Sequence, residues 1–227
     1  PAFRSRAVAS AKEELTKVLA PIVEARRLEP RDDVISELVQ AQVDGKTLTD
    51  DEVYSHVRLL LPTGGETTHG SLANLLYAVL FHEGAWQALE RDRTLIPIAV
   101  EEALRWESPI AVLPRMSCSV DITFHGAEIP ADSWVLFAMA GANRDPEVFD
   151  QADRFDIRRD NQESLSFGRG VKACPGSHLA KKNMAVALEV LLDRFPHARL
   201  LDPERSAPQR SVLRCPEVLH ICEEGSA

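Results

Sequence analysis

The ten residues Phe167-Gly168-Arg169-Gly170-Val171-Lys172-Ala173-Cys174-Pro175-Gly176 constrain this chain more than any other stretch. Gly168, Gly170 and Gly176 permit tight turns and close backbone approach to a flat partner. A helical pattern follows over 177–195, with Met184, Leu188, Leu191, Leu192 and Phe195 on one side and Pro196 as its stop. One cysteine is therefore held on an ordered loop at the mouth of a helix, with Pro175 suited to the first helical turn. The unpaired amides of such a helix end, with Arg169 and Lys172 nearby, favour a thiolate over a thiol or bind an anion. A soft, anionic sulfur on a rigid loop is what a haem iron needs as an axial ligand. Three other readings are open here. One is a buried, inert cysteine. Another is a redox thiol, which lacks a partner cysteine two or three residues away. The third is a dinucleotide loop, since Gly168-x-Gly170-x-x-Ala173 loosely matches the glycine fingerprint and Asp202 follows the next helix. Little chain remains after Asp202 to complete that fold.

Two further motifs precede the loop. Glu102-Ala103-Leu104-Arg105 puts an acid and a base three residues apart on one helix face. By itself that is an exposed ion pair worth about 0.2–0.5 kcal/mol. Pro62-Thr63-Gly64-Gly65-Glu66-Thr67-Thr68 lies between the apolar helical runs 57–61 and 72–81. A proline and two glycines in four residues should end or kink a helix, so the segment reads as a loop between two helices or as the centre of one distorted helix.

Taken together, these motifs resemble the cytochrome P-450 family of haem-thiolate monooxygenases, soluble bacterial type. The ten-residue loop is similar to the family's haem-binding signature, with Phe167 seven residues before the ligand cysteine and Lys172 at the basic position, where His or Arg is more usual. Glu102 and Arg105 match the family's Glu-x-x-Arg helix, and Arg154-Phe155 matches the segment that supplies a third charged partner. The segment 62–68 looks like the centre of the long distal helix, with Thr63 in place of the usual Ala or Gly and Pro62 as an added disruption. The motifs also stand in the family's order along the chain.

The resemblance implies a mainly α fold with a small β region, the C-terminal part of the cytochrome P-450 fold. A long kinked distal helix and a helix following the Cys loop would enclose haem b (iron protoporphyrin IX). Residues 1–227 would be the C-terminal portion of a single domain, because family members are considerably longer. The preceding part would carry a further propionate contact and much of the substrate pocket's roof. Cys174 would be the metal ligand, with Phe167, Gly168, Lys172, Arg115 and Gly176 as further cofactor-binding residues. Glu102, Arg105 and Arg154 would form a buried network under the haem. Glu66 and Thr67 would be the acid–alcohol pair that delivers protons to bound oxygen. Gly64, Ile110, Ala111, Val112, Leu113 and Val212 would line the pocket for a hydrophobic small molecule, with Leu213 near its rim.

The implied reaction inserts one oxygen atom from O2 into that substrate. Electrons would come from a separate ferredoxin or flavodoxin with an NAD(P)H-dependent reductase, docking near Arg169, Lys172, Lys181 and Lys182. A peroxide-driven haem enzyme and a non-catalytic fragment are the alternatives. A net charge of −9 argues against nucleic acid as a partner. No run of eighteen apolar residues is present, so no membrane span is expected. Cys118, Cys174, Cys215 and Cys222 show no metal or disulfide spacing, which suits a reducing cytoplasm.

The rest of the pattern predicts a helix near 6–28 and a short one from Asp32 or Asp33 to about Gln42. A turn is predicted at Asp44-Gly45, and a capping box at Thr49-x-x-Glu52 opens the distal helix. Helices follow near 85–92 and 96–106. Strands are expected at 120–124 and 134–137, and closing strands at 212–213 and 218–221.

Overall fold

The computed structural model describes residues 2–223, with side chains described from residue 8. The chain divides into two compact units, one ending at Gly65 and the other beginning at Glu66. The first holds α1 (Ala2–Leu28), α2 (Val34–Gln40) and the paired strands β1 (Gln42–Val43) and β2 (Lys46–Thr47). Its small core joins Val23, Val39 and Val53. Asp33 caps α2 by accepting the Ser36 amide at 2.8 Å, and it also pairs with Arg26. Those two contacts, the amide first, hold the Asp33 carboxyl down at about 2. The predicted Asp44-Gly45 turn is present with both residues at positive φ, 51° and 75°, and it joins β1 to β2. Two-residue strands are too short to leave a periodic signal in the sequence.

Helix α3 (Asp50–Phe81) crosses the division between the units. Its capping box forms as the sequence predicts: Glu52 accepts the Thr49 amide at 2.7 Å. It does not end at Pro62. The proline removes one amide from the ladder, and the Thr63 hydroxyl, next along, donates to the Leu59 carbonyl at 2.7 Å. The segment 62–68 is thus the interior of one long helix and not a loop.

In the second unit, α4 (Ala85–Arg91), α5 (Ile96–Trp106) and α7 (Ser177–Arg194) follow the predicted boundaries within a residue or two. The short α6 (Met139–Ala142) went unpredicted. The core gathers Leu75 and Val79 of α3, Leu89, Val100 and Leu104, and Met184, Leu188 and Leu192 of α7. Leu191 only borders that core, and Phe195 is exposed. The β region consists of antiparallel pairs: β3 (Leu113–Met116) with β6 (Trp134–Phe137), β4 (Ile122–Phe124) with β5 (Ala127–Ile129), and β7 (Ala198–Leu200) with β8 (Ile221–Glu223). Of the expected closing strands only Ile221 joins a strand. Val212 instead makes a single bridge to Ile110, and Leu213 turns at φ 51°. Among the described residues no helix is long and apolar enough to cross a membrane.

His82, just past α3, stacks on Phe155 at 4.8 Å and meets Trp106 edge-on at 4.8 Å. Its Nε2 is buried with no hydrogen-bond partner. Burial first, then the positive charge of Arg144, pushes its pKa below the ordinary 6.5, against a smaller pull from Glu102. The unfolded chain therefore binds a proton that the folded chain resists, so stability falls as pH drops through about 6.5. Thermal unfolding between pH 8 and pH 5 should show this slope, and His82→Asn should flatten it in that window.

Candidate functional site

The acid and base of Glu102-x-x-Arg105 are fully buried on α5, both at 0% exposure. They form a two-pronged pair: Arg105 Nε donates to Glu102 Oε2 at 2.7 Å and Nη2 to Oε1 at 2.8 Å. The remaining donors of Arg105 reach the carbonyls of Asn143 at 2.8 Å, Ala152 at 2.7 Å and Arg154 at 3.0 Å. All five guanidinium N–H groups are thereby used, so the charge is buried without an unmet donor. Glu102 Oε1 also accepts the Asp156 amide at 2.7 Å and Arg159 Nε at 3.3 Å.

This corrects one expectation from the sequence. The third cation of the network is Arg159, not Arg154. Arg154 contributes only its carbonyl, while its side chain is 63% exposed and turns toward Asp156. The chain turns twice here, from Gln151 to Arg154 and again from Asp156 to Arg159. Those turns bring the later arginine inward, and no spacing in the sequence distinguishes them. Asn143 is a further anchor that the sequence reading missed. It is fully buried, donates to Ser166 Oγ at 2.9 Å and accepts the Leu165 amide at 2.7 Å. Ser166 in turn donates to the Leu104 carbonyl at 2.8 Å. The network under α5 is therefore tied directly to the chain entering the Cys loop.

In that loop Gly168 and Gly170 adopt φ of +66° and +72°, conformations that other residues rarely take. The Cys174 amide donates to the Phe167 carbonyl at 2.8 Å and closes the loop. Gly176, not Pro175, borders α7 as its N-cap, so the proline lies just outside the helix. The cap has no side-chain hydrogen bond, and the first amide of α7, that of Ser177, turns back to the Cys174 carbonyl at 3.4 Å. Cys174 is exposed. A Cβ on Gly176 would stand 3.9 Å from its sulfur. Phe167 packs against the core, and Lys181 lies 5.4 Å over its ring while pairing with Glu101 at 2.5 Å. Arg169 is likewise paired, with Glu163 at 3.0 Å. Of the four cations expected to receive a redox partner, Lys172 and Lys182 make no ion pair among the described residues.

Arg115, on β3, donates only to the adjacent Pro114 carbonyl at 2.9 Å and has no acidic partner among the described residues. An exposed sulfur at a helix start without a side-chain cap, a loop turned by two left-handed glycines and an uncompensated arginine suit a flat, iron-bearing dianion. The residues present fit haem.

The expected distal residues lie elsewhere in the chain. Glu66 is exposed and Thr67 half-buried on α3, with Ser71 Oγ donating to the Thr67 carbonyl at 2.8 Å. Gly64 faces open space. Ile110 to Leu113 are half-buried, and the bridge from Ile110 to Val212 brings two expected pocket residues together. Asn74 of α3, buried and unanticipated from the sequence, donates to the carbonyls of Glu107 at 2.8 Å and Arg214 at 2.9 Å and so holds both ends of that wall.

Two cavities bear on these residues. One of 740 Å³ is lined by Cys174, Phe167 and Gly168 together with Ile98, Asn161 and Lys181. None of Glu66, Thr67, Ile110 or Val212 borders it, so it is not the expected oxygen pocket. The other, of 260 Å³, is lined by Glu66, His69, Gly70, Arg210, Cys215 and Glu217 among others.

Comparison with known proteins identifies relatives of this chain. The family described as Cytochrome P450 matches residues 3–222. A steroid C26-monooxygenase of Mycobacterium tuberculosis is 36% identical over 188 residues, 83% of this chain and 50% of that protein. The cyclomarin C epoxidase CymV of Salinispora arenicola is 38% identical over 188 residues, 83% and 47% of the two chains. Among solved structures, CYP109E1 of Bacillus megaterium in complex with testosterone superposes with a TM-score of 0.90 at 32% identity, covering 97% of this chain and 61% of that one. The chain spans about half the length of the curated relatives it matches. The fold, the cysteine loop, the buried Glu102–Arg105 pair and these matches lead to one conclusion: the chain belongs to the cytochrome P450 family.

Proposed function

We propose that this chain carries the haem-thiolate half of a monooxygenase that inserts one oxygen atom from O2 into a hydrophobic small molecule. The observation that carries this reading is Cys174, an exposed sulfur at the start of α7, which has no side-chain cap, on a loop shaped by two left-handed glycines. Bound haem b would supply the activation of dioxygen, for which a thiolate ligand is suited. The chain's own residues do the rest. Cys174 Sγ would ligate the haem iron, Arg115 and Lys172 would neutralise its propionates, and Gly168 and Gly176 would let the loop approach it closely. The Glu102–Arg105–Arg159 network holds the loop's entry in place through Asn143. Glu66 and Thr67 would hold and pass protons. Gly64, Ile110, Ala111, Val112, Leu113 and Val212 provide apolar walls that exclude water. A hydrophobic substrate is supported by those walls and by relatives named for steroid and cyclomarin C chemistry.

The chain is read further as the C-terminal portion of one catalytic domain. Apolar side chains on α7 (Leu179 at 67%, Val190 at 45%) and on the ribbon β3–β6 (Trp134 at 71%, Leu136 at 65%) are exposed, as surfaces awaiting the rest of a core would be. Electrons would come from a ferredoxin or flavodoxin with an NAD(P)H-dependent reductase, received near Lys172 and Lys182. Four free cysteines suit a cytoplasmic protein. The test is turnover of the haem-loaded, full-length protein under isotopically labelled dioxygen. One labelled atom in the product is expected. Product labelled only from water, or formed with peroxide but not with dioxygen and reductant, overturns the reading.

A further inference from the structure

Glu66 does not face solvent alone. It lines the 260 Å³ cavity together with His69, one turn further along α3. The spacing of three residues puts both side chains on the same helix face, and Gly70 on that face is buried, where a Cβ would meet Pro109 at 3.5 Å and Cys215 at 3.6 Å. The opposite wall of the cavity carries Arg210 and Glu217, themselves paired at 3.3 Å, so that wall is close to neutral. The space is large enough for several waters, each of which occupies about 30 Å³ in the liquid. Thr67 follows Glu66 directly in the chain. The result is a water-sized compartment that joins an exposed imidazole to the carboxylate expected to pass protons.

We propose that His69 is the proton-relay residue that recharges Glu66. This rests on the oxygenase reading above. Insertion of one oxygen atom while the other leaves as water consumes two protons and two electrons for each O2. The electrons come from the external donor. A carboxylate that gives up its proton must regain one each time, and hydronium is scarce at neutral pH. An imidazolium can supply it: His69 gives its ring proton through cavity water to the Glu66 carboxylate, becomes neutral, and takes another proton from solvent. No bond other than O–H and N–H bonds is made or broken. The charged or titratable groups lining the cavity with His69 are Glu66, Arg210, Glu217 and Cys215.

Two measurements test this. In the haem-free, full-length protein the NMR signals of the His69 ring at fixed pH should move on Glu66→Gln, as loss of an i,i+3 charge partner requires. Signals that stay in place mean the two groups are not coupled and overturn the relay. In the haem-loaded, full-length protein, His69→Gln should lower dioxygen-driven product per electron, relative to peroxide-driven product, about tenfold. Its solvent deuterium isotope effect should rise. An unchanged ratio and isotope effect overturn the proposal while leaving the oxygenase reading intact. Absence of dioxygen-driven product in the unsubstituted protein overturns that reading and the relay together, whatever the ring signals show.

Discussion

Arg105→Ala destabilises the second unit by about 3–5 kcal/mol, the cost of breaking a buried ion pair by removing one partner. The reason lies in what is left behind. Glu102 remains at 0% exposure with its two strongest contacts gone, and Arg159 alone, at 3.3 Å, cannot neutralise it as well. The carbonyls of Asn143, Ala152 and Arg154 lose their donor together. Arg105→Lys keeps the charge, but an ammonium offers three donors where five are in use, so it recovers only part of the loss. The double replacement Glu102→Leu with Arg105→Met removes the stranded carboxylate and is milder than Arg105→Ala, yet the three carbonyls and the loss of Arg159's anion keep it below the unsubstituted protein. Urea unfolding followed by circular dichroism ranks the variants. An Arg105→Ala protein as stable as the original would remove the network from the account.

Cys174→Ala produces the opposite combination, a large loss of cofactor with little change in fold. The side chain is exposed, so unfolding of the haem-free chain should shift by no more than about 0.5 kcal/mol. Haem retention should collapse. Removing a partner outside the ligand shell commonly costs about 10–100-fold in metal affinity, and the ligand itself costs more. Haem titration followed by absorbance separates the two effects. An unfolded variant would show the cysteine to be structural, and undiminished haem binding would show that another group holds the iron.

The two predictions differ in how legible they were from sequence. The Cys loop could be read because glycine, proline and cysteine are rare residues whose backbone needs are specific, and the structure puts Gly168 and Gly170 in the left-handed region. Helices α4, α5 and α7 were legible because their core faces repeat at helical spacing. The interior of α3 was not. Pro62 and two glycines argue for a break that neighbouring turns and a threonine hydroxyl override. Arg159 could not be chosen over Arg154, because the choice depends on where a loop reverses and not on a local pattern. Asn74 and Asn143 gave no signal for a related reason. Each is a single polar residue whose importance comes from the distant carbonyls and amides it satisfies, which only the folded chain brings near. The cavity shared by Glu66 and His69 depends on the 209–217 segment packing beside α3, a contact between residues more than a hundred positions apart.

The central claim is that Cys174 holds a haem iron as thiolate, and its most direct test is the absorption spectrum of the haem-loaded, reduced protein under carbon monoxide. A strongly red-shifted Soret band, absent in Cys174→Ala, is the predicted result. A band at the position typical of imidazole ligation, or one that survives the substitution, would contradict it.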